Sequence, residues 1–116
     1  MRTRRWKYIR HFDARHHPNL PNCDDGPSKS LWLENGWRDR IVDAEQLFDL
    51  MFDPNETRNV VGDPTQRAAL EDMRGRLDRW MRGTNDPILQ GPIAAPKGAS
   101  ANDPDGVSPR EPAKLL

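Results

Sequence analysis

One stretch limits what this chain can fold into more than any other: residues 47–64, L-F-D-L-M-F-D-P-N-E-T-R-N-V-V-G-D-P. It opens with Leu47, Phe48, Leu50, Met51 and Phe52, broken only by Asp49. A run that short, apolar and aromatic suits a buried strand better than a helix. Asp53-Pro54 stops it, because proline has no N–H for a ladder and its fixed φ suits the first position of a turn or helix. Asp53 can cap that turn, and Glu56 stands three residues later, at the place of a capping-box acid. A second Asp-Pro, Asp63-Pro64, opens the strongest helical pattern in the chain. The spacing therefore predicts strand, capped turn, helix.

The helix is predicted over 65–82. Leu70, Met73, Leu77, Trp80 and Met81 recur at three- and four-residue spacing and make one apolar stripe. Asp63 is the expected N-cap, Pro64 the first helical position, and Gly83 is placed to end the helix. Asp72 and Arg76 make a favourable i,i+4 pair. Upstream, residues 4–12 read as a half-buried antiparallel strand. Trp6, Tyr8 and Phe12 fall on one face, with Arg10 interrupting, and Arg5, Lys7, Ile9 and His11 fall on the other. Residues 13–30 carry Pro18, Pro21 and Pro27 without a periodic apolar face and read as loop. Residues 31–46 read as a short helical turn or irregular segment that plants Trp32 and Trp37.

Beyond Asp86-Pro87 the chain turns rich in Pro, Gly, Ala, Ser and Asp. The expectation is an extended or disordered tail over 86–116 after a folded region over 1–85. The fold class expected is α+β: a small antiparallel sheet with one long C-terminal helix packed on it, plus that Pro/Gly-rich tail. A folded region this size is marginal for independent stability. The 18 basic and 18 acidic residues cancel, which argues against a nucleic-acid binder despite the basic, aromatic strand at 4–12. A single cysteine, Cys23, excludes an internal disulfide and a Cys-based zinc cluster. No signal-peptide h-region follows the basic N-terminus, and no apolar run approaches membrane-spanning length.

The pattern L-F-D-L-x-x-D-P-x-E-x-x-N-V resembles the signature near the C-terminus of sulfatases, where Leu-Tyr-Asp-Leu is followed by Asp-Pro, Glu and Asn-Leu. The matching residues are Leu47, Asp49, Leu50, Asp53, Pro54, Glu56 and Asn59; Phe48 replaces the usual Tyr and Val60 the usual Leu. R-T-R-R-W-K-Y-I-R-H-F is similar to the strand that precedes that signature, and L-D-R-W-M-R-G-T-N-D-P-I-L to the closing helix and tail. The W-M-x-x-T-x-D-P ending looks most like the heparan N-sulfatase-like (N-sulphoglucosamine sulphohydrolase-like) branch. The resemblance implies the smaller C-terminal subdomain of a hydrolase of sulfate esters or sulfamates. It covers most of residues 2–92.

Family members use a formylglycine made in a Cys/Ser-x-Pro/Ala-x-Arg motif, and they hold calcium with residues of the large domain. Cys23 lies in N-C-D-D-G-P, where Asp25 takes the Pro/Ala place and Pro27 the Arg place. No catalytic or metal residue of the family carries over. Formylglycine and calcium are expected in a catalytic domain outside this sequence, with that domain as the partner and this chain a fragment, inactive alone. Intact relatives are commonly exported or lysosomal.

The densest polar constellation is His11, Asp13, Arg15, His16, His17, Cys23, Asp24 and Asp25. A metal reading fits no standard zinc spacing, and adjacent His16 and His17 cannot both point one way from an extended chain. A polar surface loop is the plain reading. The resemblance adds a third, since C-terminal loops of that fold lie near the active-site mouth: His11, Arg15, His16 and His17 as contacts to a sulfated saccharide. A different class of function also stays open, a free-standing module that binds a protein or polyanion through exposed tryptophans and the basic strand.

Overall fold

Two β-prone runs distant in sequence meet first. In the computed structural model, which describes all of Met1–Leu116, β1 (Trp6–Arg10) pairs antiparallel with β2 (Glu45–Asp49). The register sets Tyr8 opposite Leu47, and both are fully buried. Side chains alternate along a strand, so this pairing aims the two at one face. There they meet Leu70 and Met73 of the long helix, here numbered α2 (Arg67–Gly83). Trp6, Val60, Val61 and Leu77 pack around that core. Burying each such side chain contributes about 1.5–3 kcal/mol. The predicted arrangement of strand, strand and covering helix is what forms.

The entry to α2 follows its residues. The Asp63 carboxylate accepts from the Thr65 amide at 2.9 Å, and Pro64–Gln66 form a 3-10 turn that runs into the helix. Arg76 donates to Asp72 at 2.8 Å, as the i,i+4 spacing predicts. Leu70, Met73 and Met81 are buried, but Trp80 leaves 55% of its surface exposed, so the apolar stripe is narrower than the sequence pattern. Gly83 is the last helical residue and Thr84 the C-cap, its hydroxyl donating back to the Trp80 carbonyl at 2.9 Å.

The strand over 47–52 stops earlier than its apolar composition predicts. The Asp49 carboxylate accepts from the Met51 amide at 3.2 Å, and the Asp49 carbonyl takes the Phe52 and Asp53 amides. The backbone therefore turns four residues before Pro54, leaving Met51 and Phe52 exposed at 65% and 79%. A side-chain acceptor that competes locally for the next amides ends a strand as surely as a proline does.

The chain divides into two compact units: Met1–Ala14 with Asp43–Ile93, and Arg15–Val42 with Ala94–Leu116. The first is the sheet and helix just described. The second holds α1 (Pro27–Glu34), 3-10 turns at Leu20–Asn22 and Trp37–Asp39, and a small antiparallel pair, β3 (Ser100–Ala101) with β4 (Lys114–Leu115). Two expectations change here: the chain has a second small sheet where one was expected, and a stretch read as loop opens a helix. Pro27 reads as a loop marker, yet it is the first residue of α1; the first helical position tolerates proline because its N–H is unpaired in any case. The helix ends at Glu34 with Asn35 as its C-cap, and Gly36 turns the chain at φ 79°.

The tail expected to be extended or disordered over 86–116 is structured through much of its length. Asp86 caps a 3-10 turn at Pro87–Gln90. Asn102 donates to the carbonyls of Pro109 and Glu111, and one Glu111 oxygen accepts from the Val107 and Ser108 amides at 2.9 Å each. Those bonds run from side chain to backbone and leave no hydrophobic periodicity to read. No helix is long and apolar enough to cross a membrane.

Candidate functional site

The signature stretch is built as a scaffold. Asn59 is its anchor. Its Oδ1 accepts from the Leu47 amide at 2.9 Å and the Val61 amide at 3.1 Å. Its Nδ2 donates to the Asp43 carboxylate at 2.8 Å and the Glu45 carbonyl at 3.2 Å. The full capacity of one amide side chain is spent there. The Val60 amide adds a bond to the Leu47 carbonyl at 2.8 Å, which holds the returning chain beside β2.

Asp53 closes the turn between. One of its oxygens accepts from the Thr57 amide and hydroxyl, at 3.0 and 2.9 Å, and the other from the Arg58 amide at 2.8 Å. The Arg58 amide first, and the Thr57 amide after it, hold this carboxyl below the usual range. Asp49 receives the Arg5 guanidinium in a forked contact, 2.7 Å at its shortest, which lowers its pKa in the same sense. That guanidinium also lies over the Trp6 ring, 4.8 Å from its centre. Glu56 is not the reciprocal half of a capping box. It adopts φ 56° and pairs with Lys7 instead, so Asp53 caps alone.

Beneath the strands, the Tyr8 hydroxyl donates to the Glu45 carboxylate, and Arg74 of α2 donates to the same carboxylate. Burial, then the neighbouring Glu45, pushes the Tyr8 phenol up to about 12. Arg74 first, and Tyr8 after burial's opposing effect, hold Glu45 low. No buried side-chain nitrogen or oxygen in the chain lacks a partner.

The polar loop that the sequence singles out divides between the two units. His11 belongs to the first, where its amide donates to the Ala44 carbonyl at 2.9 Å. Arg15, His16 and His17 belong to the second. His16 and His17 are both exposed, and the His16 carbonyl accepts from the Val42 amide. Arg15 spends its donors on the chain itself: on Asp105 at 2.8 Å, on the His17 carbonyl at 3.1 Å, and on the carbonyls of Pro18 and Pro104. It shapes the loop and offers little to a ligand. A shallow groove of about 240 Å³ opens beside it, lined by Arg15, His17, Arg38, Asp39 and Asp105.

Sequence reasoning missed Asp105 and the Pro104 carbonyl, which complete this loop. The signal was present as D-P-D-G at 103–106, a turn signature set inside a stretch otherwise read as tail. It also missed Lys29, buried in α1, whose ammonium donates to the Cys23 carbonyl at 2.7 Å and to Asp25 at 3.1 Å. Asp25 in turn accepts from the Ser108 hydroxyl, and that bond and Lys29 keep its pKa low.

Cys23 is exposed, and its carbonyl is committed to Lys29. No group of three or more His, Cys, Asp or Glu side chains is placed to hold a metal ion.

No protein-family model matches the chain. Over 99 residues it is 25% identical to an ulvan-active sulfatase of Formosa agariphila. That match takes in 74% of this chain and 17% of the other protein, so the chain spans about a sixth of its length. The similarity is thus to part of a sulfatase, in keeping with the resemblance carried by Leu47, Asp49, Asp53 and Asn59.

Proposed function

We propose that this chain serves as the C-terminal subdomain of a sulfatase, of the heparan N-sulfatase-like (N-sulphoglucosamine sulphohydrolase-like) branch. Residues 1–85 carry the subdomain's signature. The parent enzyme hydrolyses a sulfate ester or sulfamate on a saccharide. Its catalytic domain, the partner of this chain, supplies the formylglycine and the calcium; the 116 residues alone are inactive. The observation that carries the reading is the use made of the signature. Asp49, Asp53 and Asn59 each hold backbone or a neighbouring strand, so the motif marks a scaffold and leaves the chemistry to another part of the enzyme. The partial similarity to a sulfatase supports the same reading.

Within that enzyme, Arg15, His16 and His17 of the second unit are proposed as contacts to the sulfated saccharide, and His11 of the first unit as a separate one. An antibody against α2, used on lysate of the source cell, tests the proposal. A band several times larger than 13.3 kDa is expected. A band at 13.3 kDa with no larger species, or turnover of an aryl sulfate by the purified chain, overturns it.

The second reading, a free-standing binding module, draws on Trp32 and Trp80, each 55% exposed. A sharp cooperative melt that includes the second unit, in a monodisperse chain, favours the module. Dye binding and a broad melt favour the subdomain.

A further inference from the structure

We infer that the groove between α1 and the turn after it is a saccharide subsite that stacks a pyranose ring on Trp32 and Trp37. It belongs wholly to the second unit, encloses about 420 Å³, and is lined by Asp24, Ser28, Lys29, Trp32, Trp37 and Arg40 among others. That volume lies within the range of small-ligand sites, and the composition follows their rule of apolar walls with a few placed polar groups.

The geometry follows from two local rules. Trp32 stands on α1, and Gly36, at φ 79°, reverses the chain so that the Trp37–Asp39 turn follows at once. A helix of eight residues with an exposed indole does not need that ring for its own packing; Trp32 is 55% exposed and Lys29 is the buried residue of α1. Two aromatic rings at the wall of a groove suit a ligand with a flat apolar face.

The polar rim narrows the class. Lys29 is matched by Asp25 and by the Cys23 carbonyl, so it anchors the floor. Asp24 and Arg40 form no ion pair, and the Ser28 hydroxyl has no partner within the chain. These free groups comprise one anion, one cation and one hydroxyl. A site balanced in this way does not select a bare polyanion, which an excess of cations would recognise. It does suit a ring whose edge carries both donors and acceptors, and a pyranose has an apolar C–H face with hydroxyls around its edge. Arg40 can add a charge-assisted contact where the sugar bears an acidic substituent. The choice of saccharide as ligand, and of probe, rests on the sulfatase reading above.

The test follows the indole N–H signals of the full 116-residue chain by NMR. The chain has four tryptophans, so each signal can be assigned by single Trp→Phe variants. The probes are a heparin-derived tetrasaccharide and its chemically desulfated counterpart. Saturable shifts of Trp32 and Trp37 with both probes are expected, with Trp6 and Trp80 unmoved. Trp32→Ala or Trp37→Ala should weaken binding by roughly tenfold, the loss expected of one stacked ring. The remaining indole signal of the second unit, Trp37 in Trp32→Ala and Trp32 in Trp37→Ala, reports whether those variants still fold. Should they not, Ser28→Ala with Arg40→Gln tests the rim instead, with a several-fold loss expected for the pair.

Shifts confined to the sulfated probe and abolished by salt would mean a diffuse polyanion contact and overturn the inference. So would the absence of a Trp32 or Trp37 shift at millimolar probe. Either result leaves the sulfatase reading to be decided separately, by the size of the native polypeptide.

Discussion

The two units of this chain stay folded by different means. Met1–Ala14 with Asp43–Ile93 gathers Tyr8, Leu47, Leu70 and Met73 into one apolar cluster under a long helix. Arg15–Val42 with Ala94–Leu116 has only Leu20, Pro21 and Lys29 buried. It is tied instead by Arg15 to Asp105, Asp25 to Ser108, Lys114 to Asp103, and Asn102 and Glu111 to nearby backbone. The difference teaches where cooperativity comes from. Apolar contacts in one cluster reinforce each other, whereas exposed polar ties are each worth little and open one at a time. The first unit should therefore hold the slowest-exchanging amides, in β1, β2 and α2, and the second should exchange quickly.

The hardest blow to that contrast is Leu47→Ala. It removes a fully buried side chain from the centre of the cluster and should cost about 2–5 kcal/mol. Urea unfolding followed by hydrogen exchange should then show the first unit losing its protection. If the slow amides persist, the apolar cluster is not what holds them.

Asn59→Ala comes next. It strips the Leu47 and Val61 amides of their acceptor and should cost about 1–3 kcal/mol. Asn59→Asp keeps the acceptor but sets a second carboxylate beside Asp43, so it should recover only part of the loss. A midpoint for Asn59→Asp equal to that of the original chain would show that Nδ2 contributes nothing.

The third test sharpens the contrast by pH. The only tyrosine of the chain is Tyr8, so phenolate absorbance reports the first unit alone. Its folded pKa stands at about 12, above the ordinary value of 10.0. The folded state therefore binds this proton more tightly than the unfolded state. The stabilisation is complete below pH 10.0 and is lost as pH rises towards about 12. Phenolate should appear together with unfolding across that window, and Tyr8→Phe should remove the tyrosine's share of the alkaline slope. Phenolate that forms at the ordinary pKa while the fold persists would mean that Tyr8 is not held as described.

The smallest effect is expected from Asp105→Ala. Its bond to Arg15 is solvent-exposed on the Asp105 side, 80% by side chain, and should be worth less than about 1 kcal/mol. Exchange near Arg15–Pro18 should quicken with little change in the unfolding midpoint. A large drop in the midpoint would mean that the second unit is as cooperative as the first.

The same contrast explains what could be read from the sequence. The strand at 4–12, the helix at 65–82 and the Asp63 cap were legible because apolar periodicity and capping chemistry are local and strong. The early end of β2 was not, because it depends on Asp49 accepting from the Met51 amide when the apolar residues that follow argued for more strand. Pairing of Ser100-Ala101 with Lys114-Leu115 left almost no trace, since all four residues are exposed. Arg15 and the adjacent histidines stood out as chemistry-bearing types. Two of the carbonyls that occupy Arg15 are its neighbours His17 and Pro18, but Asp105 and the Pro104 carbonyl come from a turn ninety residues away, and the D-P-D-G pattern there does not encode which cation it meets.

One feature of the first unit bears on how such a chain can change over time. β1 and β2 are hydrogen-bonded neighbours, yet residues 11–44 intervene, closed at the base where the His11 amide meets the Ala44 carbonyl. Closing so long a span slows the search for the native pairing. Its equilibrium cost, however, rises only by about 0.6 kcal/mol for each doubling of length. A change in the length of that span therefore alters the closure cost little, while a shift in the register of Tyr8 against Leu47 would expose the buried pair. What holds the two strands together is thus the buried pair and not the connection between them, so the strand pair carries its own specification wherever the chain between runs.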